Sequence, residues 1–160
     1  MTTSRLTSLH RSLILTLAVG GGLAHAAVNL PALNIDTTQT TVSGLSAGGY
    51  MAVQLHVAYS ATFKKGAGVV AGGPFYCAQG SVVTATGACM ASPAGISVSS
   101  LVTNTNNWGS QGLIDPVANL QSSKLYLFSG TLDSAVKTGV MDALKTYYNS
   151  FVPEIGRAHV

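Results

Sequence analysis

Charge is scarce in this 160-residue sequence, in which only 8% of the residues are Asp, Glu, Lys or Arg. The formal net charge of +3 leans on the two ends of the chain, where Arg5, Arg11 and Arg157 outnumber Glu154. Between them, residues 27–153 keep five Lys and four Asp, a net of +1. No basic patch remains, so nucleic acid has no electrostatic footing as a partner. Cysteine is scarce too. Cys77 and Cys89 are the only two, and with only His56 nearby they form no recognisable metal-ligand spacing. Internal repeats and an interdomain linker are missing as well.

Long apolar runs are also absent. The run Leu13-Ile14-Leu15-Thr16-Leu17-Ala18-Val19 is too short to cross about 30 Å of hydrocarbon, and Gly20 to Gly22 would weaken a core helix. With Arg5 and Arg11 ahead of it and Ala24-His25-Ala26 behind, residues 1–26 have the parts of a secretory signal peptide cleaved after Ala26. The expected product is secreted, extracellular, and free of the membrane once the signal is removed. Residues 154–160 stand apart at the other end, since Glu-Ile-Gly-Arg-Ala-His-Val fits a codon series resembling a sequencing-library adapter. The expectation is a non-native tail, on a reading frame that leaves its gene near Pro153. In an oxidising compartment Cys77 and Cys89 can close a small loop worth about 3 kcal/mol. The alternative is that either pairs with a cysteine beyond Pro153; the local bridge is the favoured expectation.

What is present alternates between strand and helix. Thr40-Thr41-Val42-Ser43 is short and β-branched, and Ala47 to Tyr59 reads as helix. Gly66 to Ala71 reads as a buried strand stopped by Gly72-Gly73-Pro74, and Lys124 to Phe128 is the clearest strand. Val140, Leu144, Tyr147 and Phe151 fall on one face of an amphipathic helix. This order predicts an α/β fold with a mostly parallel sheet flanked by helices over residues 27–153. The segment from Phe75 to about Gly95, rich in Gly, Ala, Ser and Thr, reads as a long excursion from that sheet, and long loops are often functional.

Gly44-Leu45-Ser46-Ala47-Gly48 satisfies G-x-S-x-G. Chemistry needs that spacing because the serine occupies a tight strand-to-helix turn that leaves its hydroxyl above the sheet, and small neighbours, Gly44 and Gly48, let the two backbones pass closely. The helix N-terminus then favours a developing oxyanion, with the Ala47 N–H as one donor. The pentapeptide alone is weak, and context strengthens it: a β-branched stub precedes it, and a helix apolar on most sides follows. Ser46 is the predicted nucleophile.

A nucleophilic serine needs a base and an orienting acid. Asp36 lies in a turn, Asp115 precedes Pro116 where a turn cap explains it, and Asp142 lies inside the last helix. Asp133 remains, on the loop at the carboxyl end of the strongest strand, the edge where active groups of open α/β sheets collect. It is the predicted acid. The base is missing. His10 and His25 fall in the leader and His159 in the tail, while His56 is about 15 Å down the helix and reads as a satisfied helix-surface residue. In a Ser…Asp…His order the histidine follows the acid, which places it beyond Pro153. Upstream, residues 27–45 are too few for the strands and the second oxyanion donor that normally precede such an elbow. A circular permutation or an incomplete sheet is expected.

The stretch GLSAGGYMAVQLHVAYSATFKKGAGVVAGGPFYC, with KLYLFSGTLDSAV later, resembles the secreted polyhydroxybutyrate depolymerases, specifically the type with its lipase box near the mature N-terminus. The match covers roughly 36–153. The resemblance implies a circularly permuted α/β-hydrolase-like fold, C-terminally incomplete here. It also implies hydrolysis of ester bonds in poly(3-hydroxybutyrate) or its oligomers without a cofactor, Ser46 as nucleophile and Asp133 as triad acid. The family's histidine and second oxyanion donor have no matching position. A feruloyl or acetylxylan esterase would share the elbow and the Asp loop. A catalytically dead, exported polymer-binding module would share the export signal and the low charge.

Overall fold

The computed structural model describes residues 29, 31–153 and 155–159. The leader expected at 1–26 lies outside them. A compact unit begins at Ile35. Four strands form one parallel sheet in the order β1 (Val42–Leu45), β2 (Gly66–Val70), β3 (Lys124–Ser129) and β4 (Gly156–His159). Helix α1 (Ala47–Ala58) joins β1 to β2, and α4 (Thr138–Tyr148) follows β3. The long β2–β3 connection contains the short α2 (Val82–Thr86) and then α3 (Val98–Ser110).

The sequence pattern explains the packing. Val42, Ala67 and Leu125 form one register row, and Gly44, Val69 and Leu127 another. Against these rows pack Val53 and Val57 of α1, Leu101 of α3, and Met141, Leu144, Tyr147 and Tyr148 of α4, in one core. Each fully buried Leu or Val here is worth roughly 2 kcal/mol. Of the predicted stripe of the last helix, Val140, Leu144 and Tyr147 lie in α4 with no exposed surface, whereas Phe151, 9% exposed, lies in the turn beyond its end at Tyr148. The rows facing the other way are less covered among the described residues, and Leu45 and Tyr126 are 65% and 51% exposed.

Strand β4 coincides with the residues whose origin outside the native frame is expected from their codons. It pairs through the ladder Tyr126↔Gly156 to Ser129↔His159. Ladder bonds are made by the backbone and ask only for an extended chain. The register that matters for chemistry lies at the carboxyl edge, where Leu45, Val70 and Phe128 stand side by side. The next residues of β1 and β3 lead into Ser46 and into the loop carrying Asp133.

Candidate active site

Ser46 links β1 to α1 with φ 55° and ψ −121°. A residue with a Cβ holds such a conformation at a cost of about 1–3 kcal/mol, and it persists only where neighbours fix it. Here its N–H donates to the Val70 carbonyl at 2.9 Å, and its carbonyl accepts the Tyr50 N–H at 3.0 Å. The close pass between strand and helix falls on two glycines. A Cβ at Gly44 would run into the Gly48 carbonyl, and one at Gly49 would stand 2.8 Å from the Val70 oxygen. Gly48 faces open space, so the elbow uses its carbonyl rather than its missing side chain. The result is an exposed Ser46 whose hydroxyl makes no capping bond. Ala47 opens α1, so its N–H belongs to the first turn, whose amides have no partner inside the helix.

Ser46 stands at a pocket of about 520 Å³, a size suited to a small organic ligand. Tyr50, Gln54, Tyr76, Met90 and Val136 help line it, and no lining residue is charged. One wall is the excursion after β2, where Cys77 and Cys89 are bonded to each other with their Cα atoms 6.0 Å apart. This is the local bridge that the sequence favours. Two further non-glycine residues with left-handed backbone, Tyr76 (φ 57°) and Gln79 (φ 50°), lie on the same wall. Backbone strain therefore gathers around Ser46.

Asp133 sits on the β3–α4 loop, half-buried, at the same sheet edge as Ser46. Their strands are separated by β2, so they start roughly 10 Å apart. Asp133 does not line the pocket, but Val136, three residues on, does. Its Oδ1 accepts the N–H groups of Ala135 (2.8 Å) and Val136 (2.9 Å), which fixes the carboxylate on its loop. Two of the other aspartates considered are engaged elsewhere, Asp115 in a contact 54 residues away rather than in the turn cap expected beside Pro116. Asp36 caps the 37–39 turn through Thr38, and Asp115 accepts the Ala61 N–H at 2.8 Å just beyond α1.

His56 corrects one expectation. It is satisfied, as read, but it is not on the helix surface: it has no exposed area at all. Its Nε2 lies 3.0 Å from Ser123 Oγ, which donates to the Lys64 carbonyl at 3.1 Å. Ser123 therefore accepts from Nε2–H, and Nδ1 accepts the Tyr148 hydroxyl at 2.9 Å. Burial pushes its pKa down to about 4. The sequence pattern misses this because a helix apolar on most sides does not show which of its faces the sheet and the other helices will cover. The exposed face carries Met51 instead.

Sequence reasoning also misses Tyr50 and Gln54, which lie in a helix apolar on most sides. A signal was present, since they follow Ser46 at steps of four and so share its face of α1.

No family model matches the chain. A poly(3-hydroxybutyrate) depolymerase of Delftia acidovorans is 82% identical over 134 residues, which is 84% of this chain and 27% of that protein. A polyhydroxybutyrate depolymerase of Talaromyces funiculosus is 42% identical over 131 residues, 82% of this chain and 37% of that one. Two solved structures superpose with a TM-score of 0.72, each over 82% of this chain and 41% of theirs. They are a serine-to-alanine PHB depolymerase complexed with an R3HB trimer (36% identical) and the PHB depolymerase from Penicillium funiculosum (37%). The parallel α/β sheet with flanking helices is thus the fold of these enzymes, α/β-hydrolase-like as expected. The chain spans between a quarter and two fifths of the relatives' length, and it belongs to the polyhydroxybutyrate depolymerase family.

Proposed function

We propose that this chain is the nucleophile-bearing part of an exported serine esterase that hydrolyses poly(3-hydroxybutyrate) or its oligomers. The observation that carries this reading is an exposed Ser46 held at φ 55° at the mouth of an uncharged pocket. Ser46 Oγ attacks the ester carbonyl carbon while a base takes its proton. The Ala47 N–H holds the resulting oxyanion. Collapse expels the polymer's hydroxyl end, protonated by the same base, and water then cleaves the acyl-serine to a carboxylic acid. Asp133, with Oδ1 held by its loop, offers Oδ2 to orient the base. Buried His56, ten residues down α1, is not that base. We assign the role to a histidine in the remainder of a longer protein, which the relatives' length accommodates. A neutral, apolar cavity suits the aliphatic ester units of such a polymer, and the trimer held by the solved relative contains such units.

The test compares these 160 residues with a longer protein carrying the same Val42–Pro153 sequence, on short-chain p-nitrophenyl esters. The longer protein is expected to be active and the short chain nearly inert. Ser46→Ala should lower kcat of the longer protein by about five to six orders of magnitude. A longer protein that keeps its activity with Ala at 46 overturns the assignment.

A further inference from the structure

Helix α1 turns one polar stripe to the pocket. Ser46, Tyr50 and Gln54 succeed each other at four-residue steps, and all three line the cavity. The two that do not react each hold one end of the bridged segment. The Tyr50 hydroxyl donates to the Cys89 carbonyl. Gln54 Oε1 accepts the N–H of Tyr76, next to Cys77, at 3.2 Å. Tyr50 is a dependable donor, because burial raises its pKa to about 12. The Tyr50 ring also fills the space beside Gly73, where a Cβ would come within 2.5 Å of it. The segment so held needs holding, since Tyr76 and Gln79 are both in left-handed backbone.

We propose that Tyr50 and Gln54 are specificity-determining positioning residues that clamp the Cys77–Cys89 segment to the nucleophile's own helix and so set the width of the pocket beside Ser46. The disulfide alone ties the segment only to itself. The two α1 side chains tie both of its ends to the element that presents the serine, so pocket wall and nucleophile move as one body. The substrate in this inference rests on the esterase reading above; the clamp itself does not.

The experiment uses the 160-residue chain and two readouts. The first is the rate at which dithiothreitol reduces Cys77–Cys89. With Cys77 5% and Cys89 2% exposed, reduction requires the wall to open locally. The second is the affinity for an R3HB trimer by calorimetry. Tyr50→Phe keeps the ring and loses the donor; Gln54→Met keeps the volume and loses the acceptor. Each should speed reduction and weaken trimer binding about tenfold, the scale of one net hydrogen bond. Gln54→Glu, which retains an acceptor oxygen, should reduce at a rate near wild type, while its carboxylate adds a charge to the pocket and should itself weaken trimer binding. Unchanged reduction rates in Tyr50→Phe and Gln54→Met overturn the clamp. So does faster reduction that merely follows a falling Tm, because that is global unfolding. If wild type binds no trimer, the reduction rates alone decide the clamp, and the polyester reading is decided by the esterase assay on the longer protein.

Discussion

The two ends of α1 hold residues of catalytic type in opposite states. At the amino end Ser46 is exposed, strained and free of a capping bond. Ten residues on, His56 is sealed from solvent, bonded at both ring nitrogens and held neutral by burial. Residue type alone would favour the histidine as the reactive group, since its ordinary pKa lies near neutrality. Environment reverses that order. The turn makes a weak nucleophile available, and the core converts a titrating base into a strut between α1, α4 and the turn before β3.

The comparison breaks first at Gly44. Adding a methyl group there drives Cβ into the Gly48 carbonyl, a backbone atom that no rotamer change can move aside. Either β1 or the start of α1 must shift. Gly44→Ala is expected to cost about 3 kcal/mol, the upper end for overpacking, and to take the elbow with it. Urea denaturation measures the loss. A cost under 1 kcal/mol would mean that the elbow is not pinned by this contact.

His56 sharpens the other end. Above pH 6.5 the imidazole is neutral both folded and unfolded, so its contribution is complete. Below that, the unfolded chain takes up a proton that the folded chain, with its pKa near 4, refuses. Stability therefore falls with pH by about 1.4 kcal/mol per unit, or roughly 2 kcal/mol between pH 7 and pH 5. The drop should be absent in His56→Gln, whose amide does not titrate. Equal slopes for the two proteins would show that the acid sensitivity lies elsewhere.

Much of this was legible in the chain itself. Short apolar runs ended by glycine marked β2 and β3. Spacings of three and four marked the buried stripe of α4, and G-x-S-x-G placed the elbow at the residue where the backbone turns left-handed. These are local patterns with a local physical cause. What stayed hidden depends on partners distant in sequence. His56 is buried by Ser123 and Tyr148, 67 and 92 residues away. Gln54 finds Tyr76, and Tyr50 finds Cys89 39 residues on. Composition called α1 apolar, and the average concealed the two polar side chains that face the cavity.

The smallest expected effect separates the two glycines of the motif. Gly48 lies in the first turn of α1, its backbone needs no positive φ, and a Cβ built there meets nothing within 4 Å. An alanine also loses less backbone freedom on folding than glycine does. Gly48→Ala should therefore stabilise the chain by about 0.5–1 kcal/mol, where the same change at Gly44 is severe. Its carbonyl and N–H stay in place, so the elbow geometry should persist and trimer affinity should hold. Parallel urea curves for the two variants make the measurement. If both alanines destabilise alike, the tight pass between strand and helix involves both glycines, and Ser46 owes its conformation to the whole pentapeptide rather than to the contact of Gly44 with the carbonyl at 48.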